Sequence, residues 1–170
     1  YAITGGRGAY GVRAAAAVLA RCGAAVTLVS CGASVAASEL ERMLSMVASL
    51  QPVSDARTGL IVCDVTTAAE TSGMVAHTLK GLAGVVHAPS FASDALVGGI
   101  ASATTSRHFA DSTVGASHLH NSTTFLPLST LSVVLPSTLG SGSVGQASNA
   151  ASAAQLEAFA TGKRACGLVG

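Results

Sequence analysis

Thr4-Gly5-Gly6-Arg7-Gly8-Ala9-Tyr10-Gly11 is the stretch that decides the fold. Before it, Tyr1-Ala2-Ile3 reads as the end of a β-strand; after it, Val12 to Cys22 reads as an α-helix. A glycine-rich turn between a strand and a helix is where the pyrophosphate of a dinucleotide rests. The first glycine permits the tight turn, the second lets backbone approach the phosphates, and the third lets the helix pack close. The unpaired N–H groups and the dipole of the new helix then face the anion.

Outward from this turn the pattern alternates strand and helix. Tyr1–Thr4 is a strand, and the helix Tyr10–Cys22 is closed by Gly23. Ala25–Ser30, Gly59–Cys63, Ala83–His87 and Leu131–Leu135 are short apolar runs of buried-strand type. Helices are predicted over Ala36–Leu50, which places Leu40, Met43, Leu44 and Val47 on one face and ends before Pro52, and over Thr67–Leu79 and Ala147–Arg164. Two more fill Ala95–Leu126, and Ser137–Gly145 is a Gly/Ser-rich loop. Continuous apolar strands separated by helices specify a parallel sheet covered on both faces. The right-handed crossover rule makes this an α/β, Rossmann-like, doubly wound sheet in three αβα layers. Residues 1–170 form one such domain, which stops where a sixth strand is expected and so reads as an excerpt of a larger protein.

Composition narrows the function classes. The net charge is +1 and only 10% of residues are charged, so there is no basic stripe for nucleic acid. A chain that is 49% hydrophobic with so little charge is expected to be covered in part by other domains. Arg13 and Arg21 interrupt the alanine-rich run, and no apolar stretch reaches membrane-spanning length. Cys22, Cys31, Cys63 and Cys166 form no C-x-x-C pair; Cys22 and Cys63 read as core thiols, and a reduced, cytoplasmic setting follows. His118 and His120, two apart on a helix, point to different faces, so no metal site is expected.

Further landmarks follow the glycine turn in order: Cys63-Asp64-Val65-Thr66, Gly84-Val85-Val86-His87-Ala88, Gly115 with Leu119-His120, and Gly145-Gln146-Ala147. This series resembles the ketoreductase domain of modular polyketide synthases and animal-type fatty acid synthases, a branch of the short-chain dehydrogenase superfamily. The resemblance implies NADPH-dependent reduction of a β-ketoacyl thioester carried on an acyl carrier protein. It also implies neighbouring synthase domains and a structural half-domain as partners. By resemblance, Gly5, Gly6, Arg7, Gly8, Gly11, Asp64, Val65, His87 and Ala88 are the cofactor-binding positions. Asp64 reads alternatively as a helix cap, and His87 is expected to pack beneath the cofactor without reacting.

Two departures from the family pattern matter. NAD enzymes carry a carboxylate about 20 residues beyond the turn to bind the ribose, and the resembling NADPH reductases place an arginine after the second strand. Cys31 occupies that position here, leaving Arg7 as the nearby cation for a 2′-phosphate. NADPH is therefore expected, at reduced affinity. The family's catalytic tyrosine falls on Asn149, its serine on Pro136, its lysine on Ser112 and its asparagine on Ala153. An amide is no proton donor at neutral pH, and the tyrosines, Tyr1 and Tyr10, lie at the wrong end of the fold. Lys80 and Lys163 match the lysine position no better. The expectation is a catalytically inactive, structural ketoreductase-like domain. The alternatives are an active reductase using Ser137 or a water as substitute donor, and a dinucleotide-sensing module.

Overall fold

The computed structural model describes residues 1–22, 25–31, 41–42, 45–47, 49, 58–78, 81–89, 95–135 and 144–167. Five parallel strands form one sheet: β1 (Ala2–Thr4), β2 (Val26–Ser30), β3 (Thr58–Val62), β4 (Gly84–His87) and β5 (Thr130–Val133), in the order β3-β2-β1-β4-β5. The register pairs Ile3 with Leu28 and with Val86, so the apolar rows of adjacent strands stack. The strand order reverses between β1 and β4. Ligands of open α/β sheets bind at such a switch point.

Each face of the sheet has its own core. Side chains alternate across a strand, so Ala2, Val29, Val85 and Leu131 face one side, where they pack with Met74, Val75 and Leu119. These come from α2 (Ala68–Thr78) and α4 (Gly115–Thr123). Ile3, Val26, Leu28 and Val86 face the other side, under Val12, Ala15 and Leu19 of α1 (Ala9–Cys22) and under Val47. The many alanines of α1 let it lie close to the sheet. A last helix, α5 (Ala147–Ala165), packs against β5 and the helical segment 102–114.

The strands and the helices predicted over Tyr10–Cys22, Thr67–Leu79 and Ala147–Arg164 stand where the sequence places them, to within a few residues. Residues 41–42, 45–47 and 49 are helical, with Val47 buried; Leu40, Met43, Leu44 and Pro52 lie outside the described residues, as does Gly23. One expectation is corrected. Cys22 is exposed at the end of α1, so of the two thiols assigned to the core only Cys63 is there. The region 95–126 holds the two expected α-helices, joined end to end. After a 3-10 turn, Val97–Gly99, one continuous rod runs from α3 (Ser102–Phe109) through a π-helical segment, Ala110–Val114, into α4. A π turn is a one-residue insertion in an α-helix, and hydrophobic spacing does not reveal it.

Candidate active site

The turn after β1 is built from backbone. Gly5 has φ +69°, and a Cβ there would lie 1.8 Å from the Ala88 carbonyl oxygen. A Cβ on Gly11 would lie 2.4 Å from the Gly5 carbonyl oxygen, so helix α1 meets the turn with no room for a side chain. The Gly6 N–H donates to Val29 O at 3.1 Å, and the Gly8 N–H to Gly5 O at 2.9 Å. The Ala88 N–H donates to Thr4 O at 3.2 Å, joining β4 to the turn. Backbone thus floors a cavity of about 290 Å³, walled by Arg7, Ser30, Cys31, Cys63, Val65, His87, Arg107 and Asp111. The shape suits a nicotinamide dinucleotide: a side-chain-free cradle at a helix start, with apolar walls from Val29 and Val65.

His87 closes the inner end of this groove. Its Nδ1 accepts from Thr4 Oγ1 at 2.7 Å and its Nε2–H donates to Ser112 O at 2.9 Å. The ring is 1% exposed, and burial pushes its pKa down to about 4, so it is a neutral strut at physiological pH. Val65 packs under Gly115, where a Cβ would lie 2.9 Å from Val65 Cγ2. Its carbonyl accepts from His118 Nδ1 at 3.0 Å. His120 lies on another face, with its Nδ1 2.9 Å from Lys163 Nζ.

Asp64 caps its own turn. Its Oδ1 accepts from Thr66 N at 2.9 Å and from Thr66 Oγ1 at 2.7 Å. These bonds, the Thr66 hydroxyl first, hold the carboxyl below the usual aspartate range. Glu70 Oε2 accepts from the Asp64 N–H at 2.8 Å. Cys63 beside it is buried, and desolvation raises its thiol to about 11.

Three of the four positions aligned with catalytic residues converge. Ser112, Asn149 and Ala153 line one small cavity of about 30 Å³ together with Pro89, His108, Asp111 and Leu156. No tyrosine or lysine lines it among the described residues. Ser112 is buried on the π segment, and its hydroxyl donates to the His108 carbonyl. Pro136, Ser137 and Lys80 lie outside the described residues. Tyr1 sits at the opposite end of β1, its amino group donating to Ala25 O, and Tyr10 is exposed on α1.

Sequence reasoning passed over Asp111. It lines both the groove and the small cavity. Burial raises its carboxyl, against the opposing pull of Arg107. The available signal was its place next to Ser112, the position aligned with a lysine. Among the described residues no cluster of three His, Cys, Asp or Glu is placed to hold a metal, and no helix is long and apolar enough to cross a membrane.

Known proteins give the same reading of the architecture. No curated protein matches the sequence. Among solved structures, an N-terminal ketoreductase from the macrolactin assembly line superposes with a TM-score of 0.84 at 22% identity, over 100% of this chain and 34% of that one. A ketoreductase domain from the bacillaene assembly line gives 0.83 at 23%, over 98% and 40%. NAD⁺-bound xylitol dehydrogenase gives 0.78 at 19%, over 98% and 64%. Likeness at these identities establishes the fold alone. The chain spans between about a third and two-fifths of the two ketoreductase chains. The family model described as "KR domain" matches residues 1–170, the whole length, so this chain belongs to the ketoreductase (KR) domain family.

Proposed function

We propose that this chain is a catalytically silent ketoreductase-like domain of a cytoplasmic polyketide or fatty acid synthase. It holds a nicotinamide dinucleotide and supports neighbouring domains, the structural half of a ketoreductase and an acyl carrier protein among them. One observation carries this reading. Among the described residues, the cavity where Ser112, Asn149 and Ala153 meet is lined by neither a phenol nor an ammonium to serve a carbonyl reduction.

A reduced nicotinamide, when bound, supplies hydride. The protein must then protonate the alkoxide and stabilise its charge. Asn149 carries an amide, which can orient a carbonyl but cannot give up a proton at neutral pH. Ser112 spends its hydroxyl on the His108 carbonyl. His87 is committed at both nitrogens. The positions that the sequence resemblance assigns to the cofactor (Gly5, Gly6, Arg7, Gly8, Gly11, Asp64, Val65, His87, Ala88) are suited to binding and orientation alone. NADPH is the dinucleotide implied by the sequence resemblance, and Arg7 is the cation it leans on; the choice between NADPH and NADH turns on the end of β2.

The test is a turnover assay with NADPH and NADH against a β-ketoacyl thioester surrogate, beside a binding titration. Binding without steady turnover is expected, and sustained turnover by the wild-type chain would sink the proposal. Restoring the missing groups with Asn149→Tyr and Ser112→Lys together should raise the rate by roughly 10²–10⁴-fold, the usual size of an acid-catalysis contribution.

A second reading is favoured by Asp111 alone. Its carboxyl borders both the groove and the small cavity, and burial keeps it protonated to higher pH than an ordinary aspartate. An active reductase would draw its proton there. Should the wild-type chain turn over, Asp111→Asn would abolish the rate under this reading; an unchanged rate would remove Asp111 as the donor.

A further inference from the structure

Lys163 sits in the last turn of α5, yet only 8% of its surface is exposed. A lysine at the end of a surface helix normally keeps its ammonium in water. This one lines a cavity of about 110 Å³ together with His120, Thr123, Thr124, Leu126, Leu128 and Leu131. These residues come from the last turn of α4, the loop after it and the start of β5. None of them lines the groove or the small cavity beside it.

A buried ammonium needs an anion, or a full set of hydrogen bonds, in place of its water. Its Nζ donates to His120 Nδ1 at 2.9 Å and lies 5.7 Å from the centre of the Phe159 ring. Phe159 also meets the His120 ring edge-on, with centroids 5.9 Å apart, which fixes the acceptor. One of the three N–H groups is thus used, and the rest are left over. Burial lowers the Lys163 pKa, and no acidic group among the described residues opposes that shift.

The lining selects the class of anion. The two hydroxyls bring no free donor: Thr123 Oγ1 donates to Leu119 O at 2.7 Å, and Thr124 Oγ1 donates to His120 O at 2.8 Å. A phosphate group carries strong acceptor oxygens on several sides, and here most of them would face leucine. A carboxylate carries its two oxygens at one end. Its hydrocarbon tail would meet Leu126, Leu128 and Leu131, the first two packed against the core. The volume suits a short tail.

We infer that this cavity binds a short-chain monocarboxylate, its carboxylate paired with the Lys163 ammonium and its alkyl chain laid against Leu126, Leu128 and Leu131. An ion pair formed there, away from bulk water, is stronger than one at the surface, and the tail adds apolar burial. Binding requires neither a dinucleotide in the groove nor a competent catalytic centre.

The sequence has two lysines, Lys80 and Lys163. Magnetic resonance of the folded chain with isotope-labelled lysine therefore follows Lys163 with Lys80 as internal reference. Sodium butyrate should shift the Lys163 signal saturably and leave Lys80 in place. Butyrate should bind at least about tenfold more tightly than acetate, because two more methylenes are buried. Sodium phosphate at equal ionic strength should give no saturable shift. Lys163→Met, which keeps the bulk and removes the charge, should lose the rise in melting temperature that butyrate gives wild type. Leu128→Ala should bind acetate as before and lose severalfold of the preference for butyrate; this variant and the wild-type titration decide the matter if Lys163→Met does not fold. A Lys163 signal that fails to saturate, or that responds equally to acetate and butyrate, overturns the inference. So does saturable binding of phosphate, undiminished stabilisation of folded Lys163→Met by butyrate, or an unchanged preference in Leu128→Ala.

Discussion

At the scale of single residues, two positions carry most of the constraint. Gly5 combines a left-handed backbone with a Cβ position inside the Ala88 carbonyl. The backbone term alone costs about 1–2 kcal/mol for an L-residue, so Gly5→Ala should destabilise by at least about 2 kcal/mol, read as a lower denaturation midpoint. His87 makes a separate prediction. Its pKa falls from an ordinary 6.5 in the unfolded chain to about 4 in the folded one. Between those values the unfolded chain binds more protons, so stability rises with pH. The contribution is complete above about pH 6.5 and fades as pH drops toward 4, a loss of roughly 3 kcal/mol. Urea titrations across that window should show the slope in wild type and a flatter one in His87→Gln. The positions of Gly5 and His87 were legible in the sequence because a turn and a strand end are local features. The meeting of Cys31 and Cys63 in the wall of the groove was not. The two residues are 32 positions apart, and only the order of the sheet makes them neighbours.

Among the elements, the rod from Ser102 to Thr123 departs most from its sequence reading. The segment has few apolar residues to mark a helical stripe, and its π turn adds a residue without altering the polar character around it. That segment places Ser112 in the wall of the small cavity while Leu119 is still delivered to the core, fully buried. The strands were easier to read. Val-Thr-Leu-Val and Leu-Ile-Val are β-branched or apolar throughout, the composition a pleated strand favours. Packing of α4 on the strand ends depends on Gly115, whose missing side chain leaves space for Val65 and for the His87 ring. Gly115→Val would force the helix outward and should cost roughly 1–3 kcal/mol, the usual range for overpacking. A thermal melt unchanged by that substitution would mean the helix can shift without penalty.

For the whole molecule, the order β3-β2-β1-β4-β5 matters more than any side chain, because it places the groove between β1 and β4. A ligand that binds the folded chain alone stabilises it by about 2.7 kcal/mol at a hundred times its dissociation constant. For a chain of this size that corresponds to a rise in melting temperature of about 5–10 °C. A nicotinamide dinucleotide should produce such a rise, and the absence of a shift with both NADH and NADPH would count against the groove as a binding site. The His87 ring has a further consequence at this scale. It links Thr4, immediately before the glycine turn, to Ser112 in the wall of the small cavity. The two sites thus share one rigid crosspiece, and thermodynamic linkage is reciprocal. Whatever tightens the turn around a dinucleotide also steadies the wall of the emptied catalytic cavity, and a partner pressing on that wall alters the grip on the dinucleotide by the same factor.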